Sequence, residues 1–260
     1  MGGKIVFHAF QIVFGNFQNA LRVSVGPILI AAILLTALGS LMGEAMPMAM
    51  LEGGGMPMIS GRDYFYFAVI IVLVMFLFSW VAVSWHRFVL LEEYPGLLPK
   101  LADRPIAAYA GKTAMLALLM VIVALPISVV AGFIMAPVMS GSAMAVALIG
   151  LLITVGLGAV LSYFWFRVAV ILPGTALGKP LTVGRGWAAT AGIKGAIFSA
   201  ALILVLLNVG VTILLGPIMA GMPIVGTLIN LAVNWVTLMV GVSILTTLYG
   251  HVIEGRDLAA

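Results

Sequence analysis

Long apolar runs separated by short polar stretches rich in proline and glycine set the pattern of this chain. Six runs, at about 23–43, 64–91, 112–135, 143–172, 195–215 and 224–249, carry few internal charges. Runs of roughly 20 apolar residues predict membrane-spanning α-helices, whereas barrel strands would show alternating segments of about 10 residues. Ahead of the first run, residues 4–22 place Phe7, Phe10, Phe14, Phe17 and Leu21 at steps of three and four, and Lys4, His8, Gln11, Gly15, Gln18 and Arg22 follow a second stripe. That spacing predicts one amphipathic helix lying in the membrane interface. Pro27 falls in the first turn of the first span, where its missing N–H does no harm.

Composition agrees with the pattern. The chain of 260 residues is 64% hydrophobic and 8% charged, against the roughly 25% charged residues of a water-soluble domain. Such a chain cannot cover a soluble globule with polar surface, so it is read as an integral membrane protein. The absence of cysteine excludes disulfides, thiolate metal sites and cysteine nucleophiles. The start, with Gln11, Asn16, Gln18 and Asn19 in its apolar stretch and no small-residue cleavage site, is not expected to be a cleaved signal peptide. Eleven Lys and Arg residues fall in segments on one side of the spans and only Arg62 on the other, which predicts cytoplasmic N- and C-termini.

An internal echo organises the connectors. Trp85-His86-Arg87 at the exit of the second span aligns with Trp165-Phe166-Arg167, and Tyr249-Gly250-His251 is a weaker third copy. The expected fold is therefore all-α: a single membrane domain, 1–260, of six transmembrane helices in three parallel helical-hairpin repeats. The units are 4–92, 93–173 and 174–252, each preceded by an interfacial amphipathic segment. In this reading the Trp85 motif is a repeated membrane anchor, with aromatic rings at the head-group level and a cation reaching the cytoplasm.

The segments "WHRFVLLEE", "FRVAVILPGTALGKPLTVGRGWAATAG" and "TLYGHVIEGR" resemble the broad bacterial family of six-helix inner-membrane proteins, which includes the membrane portion attached to some glycerophosphodiester phosphodiesterases. The resemblance implies the fold and a bacterial inner membrane. It implies no substrate, and the catalytic domain of those enzymes has no counterpart here.

Candidate chemistry is sparse. The basic belt of Arg87, Lys100, Arg104, Lys112, Arg167, Lys179, Arg185 and Lys194 is expected to meet anionic lipid head groups, and its scatter through connectors does not suggest nucleic-acid binding. Asn208, Asn230 and Asn234 are expected to make interhelical polar contacts, with Asn208 and Asn234 at equal depth across one hairpin. Small residues at Gly150, Thr154, Gly158 and Ser162 mark a close-approach face. Soft thioethers at Met46, Met48, Met50, Met56 and Met58 could hold Cu(I), although methionine also seats loops in irregular interfaces. Glu92-Glu93 lacks the arginine and later histidines that paired-glutamate membrane proteases need, and Ser140 lacks a base to activate it. His8, His86 and His251 are expected at helix ends. No cofactor is expected. The favoured reading is a non-enzymatic scaffold, assembly or partner-binding subunit; the alternatives are a carrier or lipid-handling protein, and Cu(I) binding.

Overall fold

A computed structural model describes residues 1–41, 61–96 and 98–257. Every regular element among them is helical: α1 (Gly2–Gly15), α2 (Phe17–Leu41), α3 (Gly61–Leu91), α4 (Ile106–Met135), α5 (Ala143–Ala169), α6 (Leu172–Ala176), α7 (Val183–Ala189), α8 (Lys194–Gly221) and α9 (Pro223–Val252). Six helical stretches, carried by α2, α3, α4, α5, α8 and α9, are long and apolar enough to cross a membrane, so the chain is a multi-pass membrane protein. The spans run longer than the sequence pattern marks them. The last-but-one continues through Pro217 to Gly221: proline leaves one carbonyl of the preceding turn without its N–H partner, but lipid offers the rest of the backbone no hydrogen bonds outside the helix, so the helix carries on.

The first helix departs from expectation in two ways. Asn16 leaves the helical region (φ −123°, ψ 34°) and donates its side-chain amide to the Ile12 carbonyl at 3.0 Å, so the expected single helix over 4–22 is split into α1 and the start of α2. The helix, expected to lie in the membrane interface, also packs on the protein, through a face other than the phenylalanine stripe. Phe7, Phe14 and Phe17 are about half exposed, while Ile5, Val6, Ala9 and Val13 are buried against α8 and α9. Size decides this: the small and branched residues let the backbones approach, to the point where a Cβ on Gly2 would strike Ser199 and Ala196. The phenylalanines instead stack outside, Phe10 on Phe14 on Phe17, ending edge-on against Trp235 at 5.7 Å.

Both ends of the chain and the connectors after α3 and α5 meet at one end of the bundle, as the hydrogen bonds Arg87 to Ala176, Lys112 to Leu181 and Arg256 to Leu90 record. The core sits at that end. It takes in Leu77 to Leu90 of α3, the start of α4, Phe166 to Ala169 of α5, Ile197 to Ala201 of α8, and Met239 to Tyr249 of α9. Further along, the spans present large apolar side chains outward, such as Phe133, Leu152, Leu214 and Ile224.

The polar stretch expected after the fourth span begins inside the core, since its first residues, Gly174 to Ala176, are buried while Gly178 to Pro180 are exposed. Val168 through Ala176 is buried, and α6 wedges between α3, α4 and α9 as a plug. Gly174 permits the fit, because a Cβ there would lie 2.8 Å from the Lys179 carbonyl and 3.1 Å from the Tyr249 ring. The segments introducing the hairpins are therefore unlike one another: a helix before α2, an irregular strap before α4, and the plug with short α7 before α8.

Candidate functional site

At the connector end, α3 presents three successive side chains to three different tasks. Trp85, fully buried, donates its indole N–H to Ser243 Oγ of α9 at 2.8 Å. Thr246 gives its hydroxyl hydrogen to the Val242 carbonyl, so the network assigns His86 as donating from Nδ1 to Thr246 (2.8 Å) and accepting at Nε2 from Tyr109 Oη (3.1 Å). The pair thus ties α4 through α3 to α9, each bond contributing about 0.6 kcal/mol, up to 1.7, in a membrane setting. These positions correct the expectation of a head-group anchor: Trp85 and His86 lie in the core, and only Arg87 reaches the connectors.

Arg87 lies against a carboxylate that the sequence pattern sets aside. Its Nε and Nη2 donate to Glu93 Oε2 and Oε1 at 3.0 and 2.6 Å and its Nη1 to the Ala176 carbonyl, while Arg104 Nη2 lies 2.7 Å from Oε2, the oxygen it shares with Arg87 Nε. The hydrogen bond from Arg87 first, then that from Arg104 and the two positive charges, hold the Glu93 carboxyl below its ordinary value of 4.5, against the opposing pull of burial. Glu92 and Asp103 bracket this strap with left-handed backbones, φ 55° and 59°, which end α3 and turn the chain back toward α4. Between them a pocket of about 370 Å³ is lined by Ser84, Arg87, Glu93, Tyr94, Lys100 and Arg104, among others.

Arg167, aligned with Arg87 in the sequence echo, is 5% exposed and has no carboxylate partner among the described residues. Its guanidinium lies 3.5 Å from the Trp187 ring centre and donates to Thr190 Oγ1, Tyr163 Oη and the Trp187 carbonyl. It fastens α7 to α5 and is removed from the lipid-facing set. Lys112, spent on the Leu181 carbonyl at 2.7 Å, serves similarly. Of the eight expected head-group cations, Lys100, Lys179, Arg185 and Lys194 stay exposed.

The histidines at the chain ends differ from His86. His251 Nδ1 donates to the Arg256 carbonyl at 2.9 Å. His8 is partly buried, which lowers its pKa from the ordinary 6.5. Its Nδ1 and Thr247 Oγ1 have no hydrogen-bond partner among the described residues, and both residues line a small pocket of about 80 Å³.

Among the amides, Asn208 does cross to the sixth span, but it accepts from Thr237 Oγ1 at 3.2 Å and not from Asn234. Asn234 turns back on its own helix and donates to the Asn230 backbone and side-chain carbonyls at 2.8 and 2.7 Å. Asn230 and Asn234 are exposed. At 100° per residue, Asn230, Asn234 and Thr237 fall within about 60° of one another; Thr237, with Ser162 and Asn208, lines an apolar cleft of about 770 Å³ between α5, α8 and α9. Of the small-residue face, Gly158 makes the close approach, against Val205 of α8. Ser140 and Ser142 build the turn between α4 and α5, Ser142 capping α5 by accepting from the Ala145 N–H.

Met46, Met48, Met50, Met56 and Met58 lie outside the described residues. Among the described residues, no group of three or more His, Asp or Glu is placed to hold a metal ion. The roles of two residues, Glu93 and Arg167, escaped the sequence reading. Glu93 was visible as a carboxylate just past a helix end, next to Arg87 and Arg104 in a short connector; the burial of Arg167 could be suspected only from the aromatic residues around it. Comparisons with family models, curated proteins and solved structures return no match for this chain.

Proposed function

We propose that this multi-pass membrane protein is a non-enzymatic assembly subunit, and that the α9 face carrying Asn230 and Asn234 binds a second copy of the chain within the bilayer. One observation carries the reading. About 10 to 17 Å into α9, at 1.5 Å per residue from Pro223, two amides face outward where a lipid bilayer offers no hydrogen-bond partner. Asn234 satisfies only its own donors on Asn230, which leaves the Asn230 amide N–H groups and the Asn234 oxygen facing the surface. An amide supplies both a donor and an acceptor, so the same stripe on a two-fold-related copy is self-complementary. Leu228 and Leu231, each about 60% exposed, flank it with apolar surface. The filled connector end, plugged by α6, supports an assembly role over passage of a solute.

This reading keeps three parallel hairpin units with both termini cytoplasmic, on the eleven-to-one distribution of Lys and Arg, and the bacterial inner membrane that the family resemblance implies. The chain has no cysteine, so a Leu231→Cys variant tests the interface directly. Oxidation in native membranes is expected to give a disulfide-linked dimer. Adding Asn230→Leu and Asn234→Leu should cut its yield about tenfold, the size of two interhelical polar contacts. A chain that stays monomeric, or a dimer indifferent to the amides, overturns the reading.

A second reading, lipid handling, is favoured by the cleft beneath α1, whose 770 Å³ fall in the range of small-molecule sites. Phospholipid that stays bound to the monomeric amide variant would favour it.

A further inference from the structure

The pocket inside the strap before α4 is built unlike the rest of the basic belt. It is enclosed by a loop closed on itself through Glu93: α3 ends at Glu92, Glu93 binds Arg87 behind it, and Arg104 returns from the far end of the strap to the same carboxylate. Two guanidiniums and the Lys100 ammonium face one carboxylate, so the pocket keeps a net charge of two positive units. Arg87 is fully engaged, by Glu93 and by the Ala176 carbonyl. Arg104 spends only Nη2 on Glu93, leaving Nε and Nη1 as donors, and Lys100 is exposed without a partner among the described residues. Ser84 gives its hydroxyl hydrogen to the Trp80 carbonyl, which leaves its oxygen as an acceptor at the pocket wall. The pocket lies just past the end of a membrane span, at the depth where head-group phosphates gather, and its 370 Å³ exceed the needs of a bare tetrahedral anion.

We propose that this pocket binds a phosphate-bearing anion, a phosphate monoester or diester, with Arg104 and Lys100 as its contacts and the Arg87–Glu93 pair holding the strap in shape. Arginine suits phosphate because its planar fork can donate to two oxygens together, and lysine adds a mobile point charge. Glu93 plays two parts. It orients Arg104 by occupying one edge of the guanidinium, and it cancels enough charge to let two arginines share the site before the ligand arrives. The pocket is built by α3 and the strap, away from the amide face of α9, and the inference stands apart from self-association.

The phosphate can come from a lipid head group or from a soluble phosphate compound, and the test separates them. Purified full-length protein is titrated with dihexanoyl phosphatidylglycerol and, separately, with inorganic phosphate, binding being read by phosphorus NMR line broadening. Wild type is expected to bind at least one probe saturably. Lys100→Gln with Arg104→Gln should weaken that binding about tenfold, as expected for loss of charge-assisted contacts, and Lys100→Gln alone, at an exposed position that folding does not need, about threefold. The variant Lys179→Gln with Arg185→Gln removes two exposed cations elsewhere and should bind as wild type does. Displacement of the lipid by inorganic phosphate assigns recognition to the phosphate group; lipid binding that resists inorganic phosphate assigns it to the head group in its lipid. Either supports the proposal. No saturable binding by wild type, an unchanged Lys100→Gln variant, or an equal loss in the Lys179/Arg185 control overturns it.

Discussion

Glu93 holds two guanidiniums with one carboxylate, and its charge is part of the fold. Its folded pKa is depressed, chiefly by Arg87, so the stability it contributes is present above the ordinary value of 4.5 and is lost as pH falls through its lower folded value. His8 is depressed too, by burial; for this group the neutral form is the native one, and its contribution is present above 6.5 and lost as pH falls below that. Two windows should therefore be separable in thermal unfolding of the detergent-solubilised protein. A His8→Leu variant is expected to flatten the slope just below pH 6.5. A Glu93→Gln variant should start lower at pH 7, by about 1 kcal/mol for the weakened charged contact, and lose less below pH 4.5. Identical pH profiles for wild type and both variants would mean that neither group is linked to folding.

At the scale of elements, α6 is where the chain is least like its pattern. Its apolar residues continue the run of α5, and nothing in "ILPGTALGK" marks whether that run ends in lipid, in water or inside the protein. Gly174 supplies the check. Gly174→Val puts a branched side chain where a Cβ already meets the Lys179 carbonyl and the Tyr249 ring, and overpacking of this kind costs about 1–3 kcal/mol. The same change at Gly184, with open space around it, should be nearly neutral; equal melting temperatures for the two variants would contradict the plug. The six spans were legible because a bilayer demands long apolar runs. Which face of each run turns inward was not legible, since lipid and protein interior are equally apolar and the usual polar face disappears. So Phe7 and Phe14 stand out in the sequence as the interfacial stripe and face away from the protein, while Ile5 and Ala9 go unnoticed and face in. Polar pairing suffers likewise. Asn208 and Thr237 meet because of a rotation about two helix axes that spacing along the chain does not fix.

At the scale of the whole molecule, the halves of the spans differ. Near the connectors, the plug, the Trp85 and His86 bonds and the arginine staples make a dense block; toward the opposite end the helices carry apolar side chains outward and open the cleft between α5, α8 and α9. Both proposals follow this division. The anion pocket borrows the rigidity of the dense end, and the amide stripe uses the loose end, where a neighbouring chain can approach without dismantling a core.

The seat of α1 sets the calendar of assembly. Ile5, Val6, Ala9 and Val13 are made well before α8 and α9, yet they pack on those helices. The bond from Trp235 to Ser24 joins residues 211 positions apart. Until the final hairpin has entered the membrane, the opening segment has nothing to lie against and waits at the surface with its small-residue face uncovered. Closing that long circuit is a late event, as contacts distant along the chain generally are. A helix made late, α9, therefore completes one made early, α1.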